Sequence, residues 1–186
     1  MRFNYLLCML FTGFATIAMA QKQISAIPLY NLNNQTQYIQ GADEFKATVL
    51  WFYSPDCPLC QQYTLVFKQL QKKFGKAVQW YAISTGKTGS KAVKNFIKTY
   101  QLNMTYLTDK HLQLVQLLKA RITPEVFVLN SNYKLIYSGR IDNWAYAPGK
   151  TRPLTSIHDL EMQLKKLILN QNIPYTSKTA IGCFIE

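Results

Sequence analysis

Acidic side chains are scarce in this sequence: nine Asp and Glu stand against 21 Lys and Arg among 186 residues, a formal net charge of +12. Such a balance draws a chain toward anionic surfaces in general. The arginine-and-aromatic clusters of a nucleic-acid surface are missing, however. The lysines (Lys68, Lys72, Lys73, Lys91, Lys94, Lys98, Lys165 and Lys166) are dispersed through helix-like segments as solvated charge. No nucleic-acid partner is expected. Histidine occurs twice and cysteine four times. One close cysteine pair is present, whereas structural zinc sites usually show two close-set ligand pairs. Zinc held by Cys57, Cys60, Cys183 and either His111 or His158 is therefore the weaker use of these residues. Internal repeats and low-complexity tracts are absent too, which leaves an ordinary folded domain.

Long apolar stretches are limited to the first twenty residues. Met1-Arg2 gives a short positive start, Tyr5 to Ala18 is largely apolar, and Ala18-Met19-Ala20 has the small-x-small pattern of a cleavage site. Residues 1–20 are read as a signal peptide, with Cys8 lost alongside it and Gln21 as the mature start. The alternative is a membrane tether, because Phe3 to Ala20 approaches the roughly 18 residues that span a bilayer; Thr12, Gly13 and Thr16 weaken it as a span. Export places the protein in an oxidising compartment such as the bacterial periplasm, with no stable membrane insertion once the leader is cut. The remaining 166 residues carry 20 Lys and Arg against nine acids, a net +11, and are enough for one domain with a real core.

What is present is a strand that delivers two cysteines to a helix. Thr48 to Tyr53 is an apolar run rich in β-branched and aromatic residues, the form of a strand buried on both faces. Tyr53-Ser54-Pro55-Asp56-Cys57-Pro58-Leu59-Cys60 follows. Leu59, Tyr63, Val66, Phe67 and Leu70 then repeat at helical spacing as far as Gly75, a natural residue beyond a helix end. A sulfur at a helix start meets unpaired N–H groups and the positive end of the dipole, which favour thiolate over thiol. Pro58 is tolerated there because the first-turn N–H has no helical partner.

The alternation continues. Gln21 to Gly41 is an extended lead-in with a short strand near Ile27–Leu29. Ala77 to Ser84 reads as a buried strand, Gly89 to Tyr100 as a helix, and Met104 to Leu107 as a short strand. Asp109 is a plausible N-cap for a helix through Leu112, Val115 and Leu118. Arg121 to Leu129 reads as a strand with Pro124 at its mouth, Asn130-Ser131-Asn132 as a turn, and Tyr133 to Tyr137 as the return of a hairpin. Thr155 or Ser156 can cap a final helix carrying Ile157, Leu160, Leu164, Leu167 and Ile168. This order predicts an α/β fold with a central mixed β-sheet and helices on both faces. The expected units are a leader 1–20, a lead-in 21–47, a domain 48–170 and a tail 171–186 holding Cys183.

Three features in this order resemble the thioredoxin superfamily, specifically its exported redoxin and cytochrome-maturation-like members: the strand, Cys57-Pro58-Leu59-Cys60, helix unit; Thr123-Pro124 entering a strand; and the hairpin with a closing helix. The resemblance covers roughly Thr48 to Leu169. It implies a thioredoxin-like fold, a cis Thr123–Pro124 bond packed beside the cysteines, no cofactor or metal, and thiol-disulfide oxidoreductase activity. Cys57 would attack and Cys60 resolve, with Pro124 completing the catalytic set and Thr123, Pro58 and Leu59 binding substrate. The implied partners are protein disulfide substrates and an upstream redox protein that resets the pair.

Departures from that family are plain. Asp56 precedes Cys57 where thioredoxins carry Trp, and its charge would oppose a thiolate. Trp51 occupies the place of the buried acid. Glu125 either replaces that acid, if it faces the pair, or is an exposed charge at the strand mouth. A peroxidase reading requires a Pro-x-x-x-Thr-x-x-Cys pattern. Here Ser54 holds the hydroxyl position but Leu50 stands for proline, and Arg121 and Arg140 lack the expected context. A redox-inactive partner-binding module is the other alternative. Cys183, in Thr179-Ala180-Ile181-Gly182-Cys183, is either an additional resolving thiol or a small buried residue of a terminal strand. The loop from Gly139 to Pro148 either lines the approach to the pair through Trp144 and Tyr146 or packs on the core.

Overall fold

The computed structural model describes residues 24–40 and 44–185. The expected leader and Cys8 lie outside these residues. Among those described, no helix is long and apolar enough to cross a membrane.

The apolar run forms β3 (Ala47–Phe52), every residue of which is buried. It pairs in parallel with β4 (Val78–Thr85) and antiparallel with β7 (Glu125–Asn130). β5 (Thr105–Asp109) extends the sheet beyond β4, and β8 (Leu135–Gly139) beyond β7. Both flanking segments also contribute. β1 (Leu29–Tyr30) and β2 (Thr36–Gln37) of the lead-in join at β5, and β11 (Thr176–Lys178) of the tail runs parallel to β8. The result is one mixed eight-stranded sheet in the order β11-β8-β7-β3-β4-β5-β1-β2, with β9 (Ala145–Ala147) and β10 (Lys150–Thr151) paired apart from it. The backbones of β11 and β8 approach so closely that a Cβ on Gly139 would stand 1.7 Å from the Lys178 carbonyl, and Gly139 has φ +126°. Only glycine fits there.

Side-chain alternation along the central strands separates two cores. Val49, Trp51, Trp80, Ala82, Val126 and Val128 face one side and meet α1 (Pro58–Phe74), α2 (Ser90–Tyr100) and α4 (Asp159–Ile168) through Phe67, Phe96 and Leu164. Leu50, Phe52, Tyr81, Ile83, Phe127 and Leu129 face the other, under α3 (Gln113–Leu118) and the lead-in residues Ile24, Leu29 and Ile39. The expected sheet covered on both faces is present. Both cysteines of the pair belong to the first core.

Several local boundaries shift for identifiable reasons. Pro124 has no N–H to extend a ladder, and the predicted strand from Arg121 divides there into β6 (Ile122–Thr123) and β7. The hairpin return begins at Leu135 because the Asn130 carboxamide accepts the N–H groups of Asn132 and Lys134, drawing Tyr133 into the turn at φ +57°. Neither Thr155 nor Ser156 caps α4. The Asn143 side-chain oxygen accepts the N–H groups of Ser156 and Ile157, which holds them outside the helix, and α4 starts at Asp159 with His158 in the cap position. The cap position of α3 falls to Leu112 rather than to Asp109; Asp109 serves that helix end from β5, its two carboxylate oxygens accepting the N–H groups of Gln113 and Val115 at 3.0 and 2.9 Å.

Candidate active site

β3 ends at Phe52, and Tyr53 to Asp56 carry the chain over the sheet edge into a turn closed by the Cys57 N–H donating to the Ser54 carbonyl at 3.1 Å. Cys57 then occupies the N-cap of α1 in extended conformation, with Pro58 in the first turn and no side-chain cap. The helix N–H groups are therefore available to the Cys57 sulfur rather than to a hydroxyl or carboxylate. Cys60 lies one turn deeper and is wholly buried.

Thr123–Pro124 is cis, as the resemblance implied, and Thr123 lies against Cys57. The Cys57 thiol can donate to the Thr123 carbonyl at 3.2 Å. A third sulfur completes the cluster. β12 (Cys183–Phe184) pairs antiparallel with β6, placing Cys183 opposite Thr123 and Phe184 opposite Ile122. The Cys183 Sγ lies 2.8 Å from the Cys57 Sγ, and all three cysteines are free thiols. The buried-residue expectation for Cys183 is thus overturned: its strand is terminal, but the residue is exposed. The reason is β12's position, laid on the edge of β6 outside the main sheet.

Hydrogen bonds separate the sulfurs electronically. The thiol of Cys60, then that of Cys183, and the backbone N–H groups of both residues lower the Cys57 pKa to about 5 against the opposing effect of burial. Burial, followed by hydrogen bonding to Cys57 and repulsion from its charge, pushes Cys60 well above the ordinary thiol range. Although the residue is exposed, desolvation of its sulfur and the same Cys57 contact push Cys183 up to about 11. Asp56 is exposed, and the groups that set the charge of Cys57 are sulfur and N–H donors. The arrangement is one thiolate between two protonated thiols, which suits nucleophilic attack on a disulfide followed by resolution.

Two clefts flank the cluster. One of ≈270 Å³ is lined by Tyr53, Ser54, Cys57, Lys87, Thr123 and Phe184 among others. The other, ≈420 Å³, brings Pro58 and Leu59 together with Trp144 and Pro148. Trp144 therefore lines the approach and also packs edge-on to Tyr63. Tyr146 points outward beneath the Arg152 guanidinium.

Other candidates fall elsewhere. Glu125 has the strand parity of Phe127 and Leu129, opposite to that of Val126 in the core with the cysteines. Its carboxylate accepts the Arg121 N–H at 3.0 Å, and burial raises its pKa. Trp51, in the usual acid's place, is buried on Phe67 with ring centroids 4.3 Å apart. His111 packs on Tyr30, and among the described residues no group of three or more His, Cys, Asp or Glu is arranged to hold a metal ion. Arg140 is committed to the buried Asp159 at 2.7 Å, and Leu50 is sealed in the second core. The peroxidase pattern lacks its proline, and Arg140 is taken up by Asp159. Sequence reasoning missed Tyr53, a buried phenol that lines the cleft beside Cys57 and is kept protonated chiefly by burial. Its only sequence signal is its place four residues before Cys57.

Residues 23–138 match the AhpC/TSA family model, well over half of the sequence. The chain belongs to the AhpC/TSA family. No curated protein matches it. Among solved structures, this AhpC/TSA chain is similar to an uncharacterized conserved protein from Geobacillus kaustophilus, at 20% identity over 88% of this chain and 89% of the other, with a TM-score of 0.76. It is similar to a secreted Mycobacterium tuberculosis disulfide oxidoreductase homologous to E. coli DsbE (18% identity, 80% of this chain and 98% of that one, TM-score 0.56). It is also similar to StoA from Bacillus subtilis (18%, 78% and 98%, 0.53). At these identities the likeness establishes the fold, and the fold is that of the thioredoxin superfamily.

Proposed function

We propose that this protein is a thiol-disulfide oxidoreductase that exchanges the disulfides of exported proteins through Cys57 and Cys60. The observation that carries the reading is the placement of two free thiols at the start of α1, Cys57 at its N-cap against the Thr123 carbonyl and Cys60 one turn deeper, with donors around Cys57 that favour its thiolate.

The Cys57 thiolate attacks one sulfur of a client disulfide and expels the other as thiolate. Part of what keeps Cys60 protonated is the charge on Cys57, and that charge disappears once Cys57 is in the mixed disulfide. Cys60 then loses its proton more readily, attacks the Cys57 sulfur and releases the second client thiolate. An upstream redox protein resets the Cys57–Cys60 disulfide; no cofactor enters. Stabilising the thiolate also stabilises the reduced form, which makes the pair a better acceptor of electrons than one with an ordinary cysteine. The apolar leader supports action outside the cytosol, in the bacterial periplasm or, if the leader is retained, at its membrane face.

The test is catalysed disulfide reduction of a protein such as insulin by the mature chain. Activity should vanish in Cys57→Ser, and a Cys60→Ser, Cys183→Ser double variant should accumulate mixed disulfides with its clients. Exchange no faster than the uncatalysed background, by both the mature chain and one ending at Ile181, would refute the reading. Rapid consumption of hydrogen peroxide with no disulfide exchange would assign the peroxidase alternative instead.

A further inference from the structure

Cys183 lines both clefts, so the tail crosses the surface directly over Cys57. It is held there by backbone pairing. Cys183 and Phe184 form the ladder with Thr123 and Ile122, and the Ile185 N–H donates to the Arg121 carbonyl at 2.9 Å. Gly182 permits the approach, since a Cβ at that position would stand 2.1 Å from the Thr123 carbonyl. Hydrophobic anchoring of the segment rests on Ile185, partly buried against the second core, while Phe184 is 78% exposed. A short, exposed strand held by a few hydrogen bonds opens at low cost. Any extended peptide that replaced it on β6 with a cysteine opposite Thr123 would deliver that sulfur to the same place beside Cys57.

Resting on the thiol-disulfide reading above, we propose that the C-terminal strand is a tethered stand-in for a client: Cys183 exchanges with Cys57, and the resulting Cys57–Cys183 disulfide closes the β6 edge to clients until Cys60 resolves it. With a small disulfide such as oxidised glutathione as electron acceptor, the Cys57 thiolate attacks one sulfur and a glutathione thiolate leaves. Cys183 gives its proton to solvent and attacks the Cys57 sulfur. The bond from Cys57 to glutathione breaks, and the second glutathione thiolate departs. One small disulfide has become two thiols, and two protein thiols have become one disulfide. Attack of the Cys60 thiolate on Cys57 then expels the Cys183 thiolate, an isomerisation with no net redox change.

The experiment treats the Cys60→Ser mature chain with oxidised glutathione and maps its disulfides by mass spectrometry under non-reducing conditions. The expected product is the Cys57–Cys183 link, with the glutathione adduct on Cys57 transient. Gly182→Val, which keeps every cysteine but forces β12 off Thr123, should cut that link severalfold and let the adduct persist. In the reduced protein, a chain ending at Ile181 should show severalfold faster alkylation of Cys57. A stable Cys57 adduct with Cys183 free in Cys60→Ser overturns the proposal while leaving the thiol-disulfide reading intact, as does alkylation unchanged by truncation. A Cys57 inert in both full-length and truncated chains overturns the thiol-disulfide reading, and this inference with it.

Discussion

The Tyr63 hydroxyl donates to the Asp142 carboxylate across 2.6 Å, joining the buried face of α1 to the loop that carries Trp144. The same oxygen of Asp142 accepts the Trp144 N–H at 2.9 Å, so helix and loop share one acceptor. Burial and the Asp142 charge keep the Tyr63 phenol protonated far above neutral pH, and it remains a donor throughout the working range. Tyr63→Phe leaves a buried carboxylate short of one donor. The expected loss is about 1–3 kcal/mol, read as a lower denaturant midpoint with an unchanged slope. Trp144 fluorescence should change as well. A midpoint within error of wild type would show that Asp142 recruits another donor.

Reactivity of Cys57 should follow acid pH rather than the ordinary thiol range near 8.5. Its pKa is lowered to about 5, so the thiolate fraction is nearly complete by pH 7 and falls as pH drops through 5. Cys183, raised to about 11, should instead react roughly tenfold faster per pH unit between 6 and 9. Site-resolved labelling of the reduced chain with iodoacetamide separates the two curves. Cys183→Ala removes one of the hydrogen bonds that favour the thiolate, and the Cys57 inflection should move upward. An inflection of wild-type Cys57 at the usual thiol value would contradict the donor arrangement.

Phe67 sits at the centre of the core beneath the pair, 4.3 Å from the Trp51 ring and edge-on to Trp80. Phe67→Ala should cost about 3–5 kcal/mol, the usual range for emptying a buried aromatic site. Because α1 presents Cys57 through this contact with β3, the variant should also broaden or shift the labelling inflection of Cys57. A stability loss below about 1 kcal/mol would mean that the neighbouring rings collapse into the space.

The parts legible in the sequence are those governed by short-range pattern. Thr48 to Tyr53 declared a strand buried on both faces, and the Cys57–Cys60 spacing with Pro58 and Gly75 bounded α1 within a residue. Boundaries set by distant side chains were not legible: Asn143 decides where α4 begins through residues thirteen and fourteen positions away. Cys183 illustrates the same limit at the site. Nothing in Gly182-Cys183-Phe184 announces that it pairs with Ile122–Thr123 some sixty residues earlier, because a two-residue strand has no periodicity to read. Glu125 was legible only as a choice of two, and neither holds: the register with β3 turns it from the cysteines, and it is half-buried rather than exposed.

Asp109 offers a graded test of a cap supplied from outside its helix. It is fully buried at the end of β5, and its two oxygens serve different N–H groups of α3. Leu112, between Asp109 and the first of these N–H groups, holds φ +55°, a conformation that leucine adopts at a cost and that the two bonds help maintain. Asp109→Asn keeps one acceptor oxygen and turns the other position into a donor facing an N–H. Asp109→Ala removes both acceptors but introduces no opposing donor. Loss of a cap costs about 0.5–2 kcal/mol, and a buried unsatisfied donor about 1–3 kcal/mol. Both variants should therefore be destabilised by more than an exposed cap substitution, with faster amide exchange confined to Gln113–Leu118. Since α3 covers the core face opposite the cysteines, the Cys57 labelling curve should keep its inflection in either variant. Faster exchange spreading into α1 would show instead that the two faces open as one unit.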